Sequence, residues 1–245
     1  MSRVLVIPDV HLKPWIFDLA TALLKEGKAD FAMFIGDLVD DWNQASNIKL
    51  YTETIDRAIK FKEDFPNSLW CYGNHEVAYM INNWCSGNSE IYRMDIKSML
   101  NKYERIVEPK LVHIIDNVVF SHAGVESMHK NLECINDFYN LYSAFDYNNS
   151  PLWSRPDAWA KYYDICQVAG HSPVKEITHH NNLWLVDTFS TEQDGTTYGN
   201  QYFLVIYTYC LIAVRFVSSN YLYLFTISFI RESFSSMSFT SLNCV

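Results

Sequence analysis

Phe31-Ala32-Met33-Phe34-Ile35-Gly36-Asp37-Leu38-Val39-Asp40-Asp41 is an apolar run that stops abruptly at a glycine and three carboxylates. A short apolar run closed this way reads as a buried strand ending in a tight turn, with Asp37, Asp40 and Asp41 at the strand's carboxyl edge. That edge is where open α/β sheets gather their chemistry. Acids this close repel one another in a partly buried turn unless a cation or hydrogen-bond donors compensate them. A positive partner is expected there; the alternative is a solvated acidic turn.

Upstream, residues 3–7 form a first strand broken by Pro8-Asp9-Val10-His11. Residues two apart in an extended segment point the same way, so Asp9 and His11 can address one point in space. Ile16, Leu19, Ala20, Leu23 and Leu24 recur at helical spacing and predict a helix over 15–25, which carries the chain to the next parallel strand. Downstream, the spacing predicts a helix over 50–64 and then a strand over 68–72 that ends in Gly73-Asn74-His75-Glu76. There Asn74 either caps a short helix over 76–81 or offers its carbonyl to the site, and both roles leave His75 free.

The same device recurs. A helix over 88–102 is followed by a hairpin, 112–116 and 118–120, about Asp116-Asn117, and its second strand closes on Ser121-His122-Ala123-Gly124. A helical region over 127–145, the segment Leu152-Trp153-Ser154-Arg155 and a short helix over 156–163 lead to a strand over 166–169. That strand stops at Gly170-His171-Ser172-Pro173. His113 reads as an ordinary half-buried strand residue, and His179-His180 as surface residues in a turn before a strand over 183–186.

A final strand is expected over 202–206. After Tyr202 the chain has no Gly, Pro or Asp, and Arg215, Asn220 and several serines interrupt what would otherwise be a membrane-length apolar run. One domain over 1–206 is expected, with 207–245 an apolar, serine-rich tail of further β-structure or a poorly folded appendage; an aberrant reading frame and a membrane anchor are the other readings of the tail. At 245 residues, 49% hydrophobic and 19% charged, the chain is long and apolar enough for one large core. A net charge of −9 argues against an extended nucleic-acid groove or an anionic membrane surface. Six scattered cysteines without a Cys-x-x-Cys pair read as reduced residues of a cytoplasmic protein.

Five strand ends thus carry Asp9 with His11, Asp37 with Asp40, Asn74 with His75, His122, and His171. Nitrogen and oxygen donors without thiolate suit manganese, iron, zinc or nickel. They are too many for one catalytic ion with open positions, whereas two ions roughly 3.5–4 Å apart, sharing a carboxylate, would use them all in phosphoryl displacement.

The motifs Asp9-Val10-His11, Gly36-Asp37-Leu38-Val39-Asp40, Gly73-Asn74-His75-Glu76, His122 before Ala-Gly, and Gly170-His171-Ser172-Pro173 together resemble the calcineurin-like metallophosphoesterase superfamily, most closely its bacterial and phage phosphoprotein-phosphatase branch. The resemblance spans residues 3–205. It implies an α/β fold, a four-layer α/β/β/α sandwich around two mixed sheets. It implies that Asp9, His11 and Asp37 hold one divalent ion, manganese first, and that Asp37 with Asn74, His122 and His171 holds the second. It implies phosphate ester hydrolysis by a metal-bound hydroxide, with His75 as general acid, Asp40 fixing its tautomer, and Asn74 and Arg155 on the substrate phosphate. Phosphorylated small molecules, nucleotides or phosphoproteins would be substrates, and no membrane attachment is expected.

One departure stands out: Asp41 occupies the position at which that branch carries an arginine. Loss of that cation moves the balance toward a diester, a nucleotide or an unusual monoester unless Asp41 turns outward and Arg155 suffices. A phosphodiesterase or nucleotide hydrolase, or a non-catalytic metal-binding scaffold, are the alternative readings.

Overall fold

The computed structural model describes residues 2–126, 132–155, 166–180, 182–208, 214–217 and 222–223. β1 (Arg3–Ile7) and β2 (Phe31–Phe34) run parallel, joined by α1 (Trp15–Lys25), as the apolar patterning predicts. α2 (Ile48–Asp64) then returns the chain to β3 (Leu69–Trp70), parallel to β2. On the other side of β1, β9 (Phe203–Tyr207), β10 (Val214–Val217) and β11 (Leu222–Tyr223) add antiparallel strands, giving the order β11-β10-β9-β1-β2-β3.

The second sheet is also mixed. β4 (Val112–Ile115) and β5 (Val118–Ser121) form the expected hairpin, with Asp116 taking the left-handed conformation at its turn. β6 (Cys166–Ala169) and β8 (Leu183–Leu185) continue parallel to β5, and β7 (Thr178–His180) closes the edge antiparallel to β8.

Alternation of side chains along the strands assigns the layers. Val4 and Val6 of β1, Met33 of β2, Val118 and Phe120 of β5, Val168 of β6 and Leu204 and Ile206 of β9 meet in one core between the two sheets. Their alternates Leu5, Ile7, Ala32, Phe34, Phe203 and Val205 pack outward against α1, α2 and α4 (Arg93–Val107). On the far face, Val112 and Val119 pack with α3 (Asn74–Met80), α5 (Ile135–Phe138) and α6 (Leu141–Asp146). The result is four layers, α/β/β/α. Strands buried on both faces read as nearly unbroken apolar runs, which is why they were legible in the sequence.

Several local expectations differ. The helix expected from residue 88 begins at Arg93, because the Asn88 side chain accepts the Cys85 N–H (2.7 Å) and the Ser89 N–H donates to the Tyr79 hydroxyl (2.6 Å), holding a turn. The long helix over 127–145 is a 3₁₀ turn (Leu132–Cys134) followed by α5 and α6; extended Tyr139 separates these two, and Asn140 and Ser143 form a capping box. The strand over 68–72 shortens to Leu69–Trp70, since the Tyr72 N–H turns to the Lys110 carbonyl (3.0 Å). Asn74 does not cap α3: Gly73 takes that position and the Asn74 side chain faces the site. His179 and His180 are exposed as expected, but lie in β7 and not in a turn. The expected helix over 156–163 and residues 127–131 lie outside the described residues. Among the described residues, no helix is long and apolar enough to cross a membrane.

Candidate metal centre

The carboxyl ends of β1, β2, β3, β5 and β6 converge. Five residues there, His11 (φ 43°), Leu12 (φ 57°), Asp37 (φ 54°), Asp40 (φ 66°) and His171 (φ 62°), adopt left-handed backbone. Each such non-glycine residue costs about 1–2 kcal/mol, so a tightly bonded surround must hold it. That surround is present: the N–H groups of Val10 and His11 both donate to the Asp37 carbonyl at 2.9 Å, and the Gly170 N–H donates to the His122 carbonyl at 2.8 Å. A Cβ on Gly73 would overlap the Asp37 backbone, and one on Gly170 would overlap Asp9 Oδ2, so only glycine allows these approaches.

Asp37 is the pivot. Its Oδ2 lies 3.6 Å from His11 Nε2, 3.3 Å from His122 Nε2 and 3.9 Å from His75 Nε2, while Oδ1 accepts the His75 N–H at 3.1 Å. Burial alone would raise its pKa, but His122, His75 and His11 outweigh burial and hold it well below the usual carboxylate range. His122 Nδ1 donates to the Ile35 carbonyl (3.0 Å), which can only accept, so Nε2 presents a lone pair. That lone pair faces Asn74 Oδ1 at 2.8 Å and His171 Nδ1 at 3.1 Å. Asn74 is oriented by donating Nδ2–H to Cys85 Sγ (3.1 Å). Two acceptors 2.8 Å apart require a proton or a cation between them.

Two further buried atoms lack partners. Asp9 Oδ1 accepts the His171 N–H at 2.9 Å, but Asp9 Oδ2 has no hydrogen-bond partner, nor has His171 Nε2. Burial, then Asp187 and Asp37, push Asp9 well above the carboxylate range, and burial, then His122 and Arg155, hold the His171 ring well below the usual histidine range. His11 is lowered by burial too, and its Nδ1 donates to the Asp40 carbonyl (2.9 Å), leaving Nε2 toward Asp37. Asp37 thus belongs to two sets of mutually close ligand atoms, His11 with Asp37 and His75, and Asp37 with His122 and His171. Orphaned oxygen and nitrogen donors around a shared carboxylate fit the divalent ions expected from the sequence.

Beside this centre, His75 Nδ1 bonds Asp40 Oδ2 at 2.9 Å. Asp40 accepts as well from Asn88 Nδ2 (2.7 Å), Tyr51 Oη (2.6 Å) and Tyr79 Oη (2.8 Å), so its carboxylate cannot rotate away. Burial would lower the His75 ring, but Asp37 and the bond to Asp40 outweigh it and raise its pKa well above the usual histidine range.

The site opens on a cleft of about 380 Å³, lined among others by His11, Asp37, Asn74, His75, His171 and exposed Arg155. Arg155 faces that cleft without belonging to the ligand cluster. Asp41 lines it too, yet is compensated: Lys13 Nζ lies 2.9 Å from Asp41 Oδ2, and Thr191 Oγ1 donates to Oδ1. Sequence reasoning missed Lys13, Tyr51, Tyr79, Cys85, Asn88 and Asp187. Asp187, buried at the cleft and held by the Ser190 backbone and hydroxyl (3.2 and 2.9 Å), lies two residues beyond β8 and carries the same strand-end signal as the others. The rest arrive from helices and loops whose polar residues bear no mark of which turn inward.

Solved structures share the architecture. The cold-active protein-tyrosine phosphatase of the psychrophile Shewanella sp. superposes with a TM-score of 0.58 at 18% identity, over 86% of this chain and 77% of that one. A second structure of a cold-active protein tyrosine phosphatase gives 0.57 at 17% identity, over 86% and 75%. At such identity the likeness bears on the fold alone. A metallophosphoesterase from Sphaerobacter thermophilus scores 0.45 at 13% identity, over 84% and 83%. No relative among the curated proteins matches. The family model for calcineurin-like phosphoesterases matches residues 2–204. The chain therefore belongs to the calcineurin-like phosphoesterase family, enzymes that act on phosphate esters with divalent metal ions.

Proposed function

We propose that this enzyme hydrolyses phosphate monoesters at a two-ion centre, manganese first, with Asp37 shared between the ions. The observation that carries this reading is the single Asp37 oxygen facing His11 on one side and His122 on the other. Asp9, His11 and Asp37 would hold one ion, and Asp37, Asn74, His122 and His171 the other. Bound cations supply the positive charge that polarises the phosphoryl group and acidifies an attacking water. The chain's own groups do the rest. Asp40, saturated by four donors, keeps the Nδ1 proton of His75 in place and leaves Nε2 to deliver a proton to the leaving oxygen. A raised pKa keeps that proton available near neutrality. Arg155 and Asn74 address the substrate phosphate.

Asp41 at the cleft wall favours a second reading, a diester or nucleotide of lower charge; its pairing with Lys13 supports the monoester. Rates on p-nitrophenyl phosphate and on its bis ester, measured with manganese, decide between them. The monoester should be preferred and His75→Ala should abolish turnover; diester preference would contradict the monoester reading, and wild-type rates in His75→Ala the role of His75.

In this reading residues 1–206 are the catalytic domain and 207–245 a tail, and the substrate is a phosphorylated small molecule, nucleotide or phosphoprotein. The compartment is the cytoplasm, which the buried, unbridged Cys71, Cys85 and Cys166 support.

A further inference from the structure

We propose that Trp42 and Trp84 form a stacking site for a flat aromatic ring carried on the substrate's phosphate ester. The inference rests on the phosphoesterase reading and names its substrate class. Trp42 and Trp84 are 40% and 58% exposed, and among the exposed large apolar residues described they are the two that line the catalytic cleft. Exposed indole forfeits the stabilisation that burial would bring, and a pair of such rings at one cleft mouth is an unfilled binding surface. Among the described residues, neither ring stacks on another aromatic ring.

Their backbones are held in place. The Trp42 N–H donates to Asp41 Oδ1 (2.8 Å), itself tied to Lys13 and Thr191, and the Trp84 N–H donates to Asn83 Oδ1 (2.8 Å). Each tryptophan is chained to the chemistry. Trp42 lies two residues beyond Asp40, and Trp84 adjoins Cys85, whose sulfur accepts from Asn74 and lies 3.7 Å from His75 Nε2. A third indole, half-buried Trp153, forms the inner wall: its Nε1 donates to the Phe145 carbonyl (2.8 Å), and its ring meets that of His171 edge-on at 5.5 Å. A phosphate seated at the centre would therefore carry its ester group into a cleft lined by these three indoles. Aromatic rings gain most from such faces, through dispersion and offset stacking.

The test compares 2-phenylethyl phosphate with butyl phosphate, whose leaving alcohols are alike in basicity, and with glucose 6-phosphate, on manganese-loaded enzyme. Wild type should favour the aromatic ester in kcat/KM by roughly tenfold or more. Trp42→Ala and Trp84→Ala should each erase most of that preference, and Trp84→Phe should keep it. No preference, a preference for the sugar phosphate, or a preference unchanged in both alanine variants would overturn the proposal. O-phosphotyrosine and adenosine 5′-monophosphate, which carry the ring at different distances from phosphorus, identify the source by which loses more kcat/KM in Trp84→Ala; loss on neither overturns it. Quenching of tryptophan fluorescence by phenylphosphonate is read in parallel. If no ester is turned over, the phosphoesterase reading fails, while quenching present in wild type and lost in Trp84→Ala still supports the ring site, and its absence overturns it.

Discussion

At the scale of single residues, Glu76 shows what the centre imposes on its neighbours. It is 1% exposed, neither carboxylate oxygen has a hydrogen-bond partner, and burial, then Asp37, push its pKa up to about 7. The ordinary value is 4.5, so below that both folded and unfolded chains carry the proton. As pH rises from there toward about 7 the unfolded carboxyl ionises while the folded one does not, and folding stability is lost across that window. Glu76→Gln keeps the shape and removes the charge. In metal-free protein its stability gain over wild type should grow from pH 5 to pH 8, to at most about 3 kcal/mol by urea unfolding. A gain independent of pH would mean that Glu76 is not buried as an acid.

At the scale of elements, the strand ends explain what was legible. His11, Asp37, His122 and His171 each close or follow an apolar run at a break in the chain, a signal that needs no knowledge of partners. Asp40's bonding was invisible, because Tyr51 and Tyr79 sit on the faces of α2 and α3 among ordinary apolar residues, and Asn88 lies in a turn that looked helical. Lys13 likewise reads as a surface lysine until α1 and the β2 loop bring it to Asp41. β9 matters more than its place late in the chain suggests. Phe203 and Val205 fill one core and Leu204 and Ile206 the other. At about 1.5–3 kcal/mol per buried side chain their loss rivals the whole stability of a domain. Truncation after Thr208 keeps these four residues and should leave soluble, metal-dependent activity, whereas truncation after Gln201 should leave no folded protein. Loss of soluble, metal-binding protein on truncation after Thr208 would make residues beyond 208 part of the catalytic domain.

At the scale of the molecule, two mixed sheets packed face to face bring strand ends that are far apart in sequence to one point; Asp9 and His171 touch across 162 residues. Helices on both outer faces leave that edge open to substrate. The fold therefore accounts for the gathering of donors, and in the proposed function Asp37 serves two ions at once. The most direct test is manganese stoichiometry by titration calorimetry on metal-stripped protein, with elemental analysis of the loaded form. Two ions per chain are predicted in wild type, one in Asp9→Asn and one in His122→Ala, with both sites weakened together in Asp37→Asn. A single ion in wild type, or two ions bound with undiminished affinity in Asp37→Asn, would contradict it.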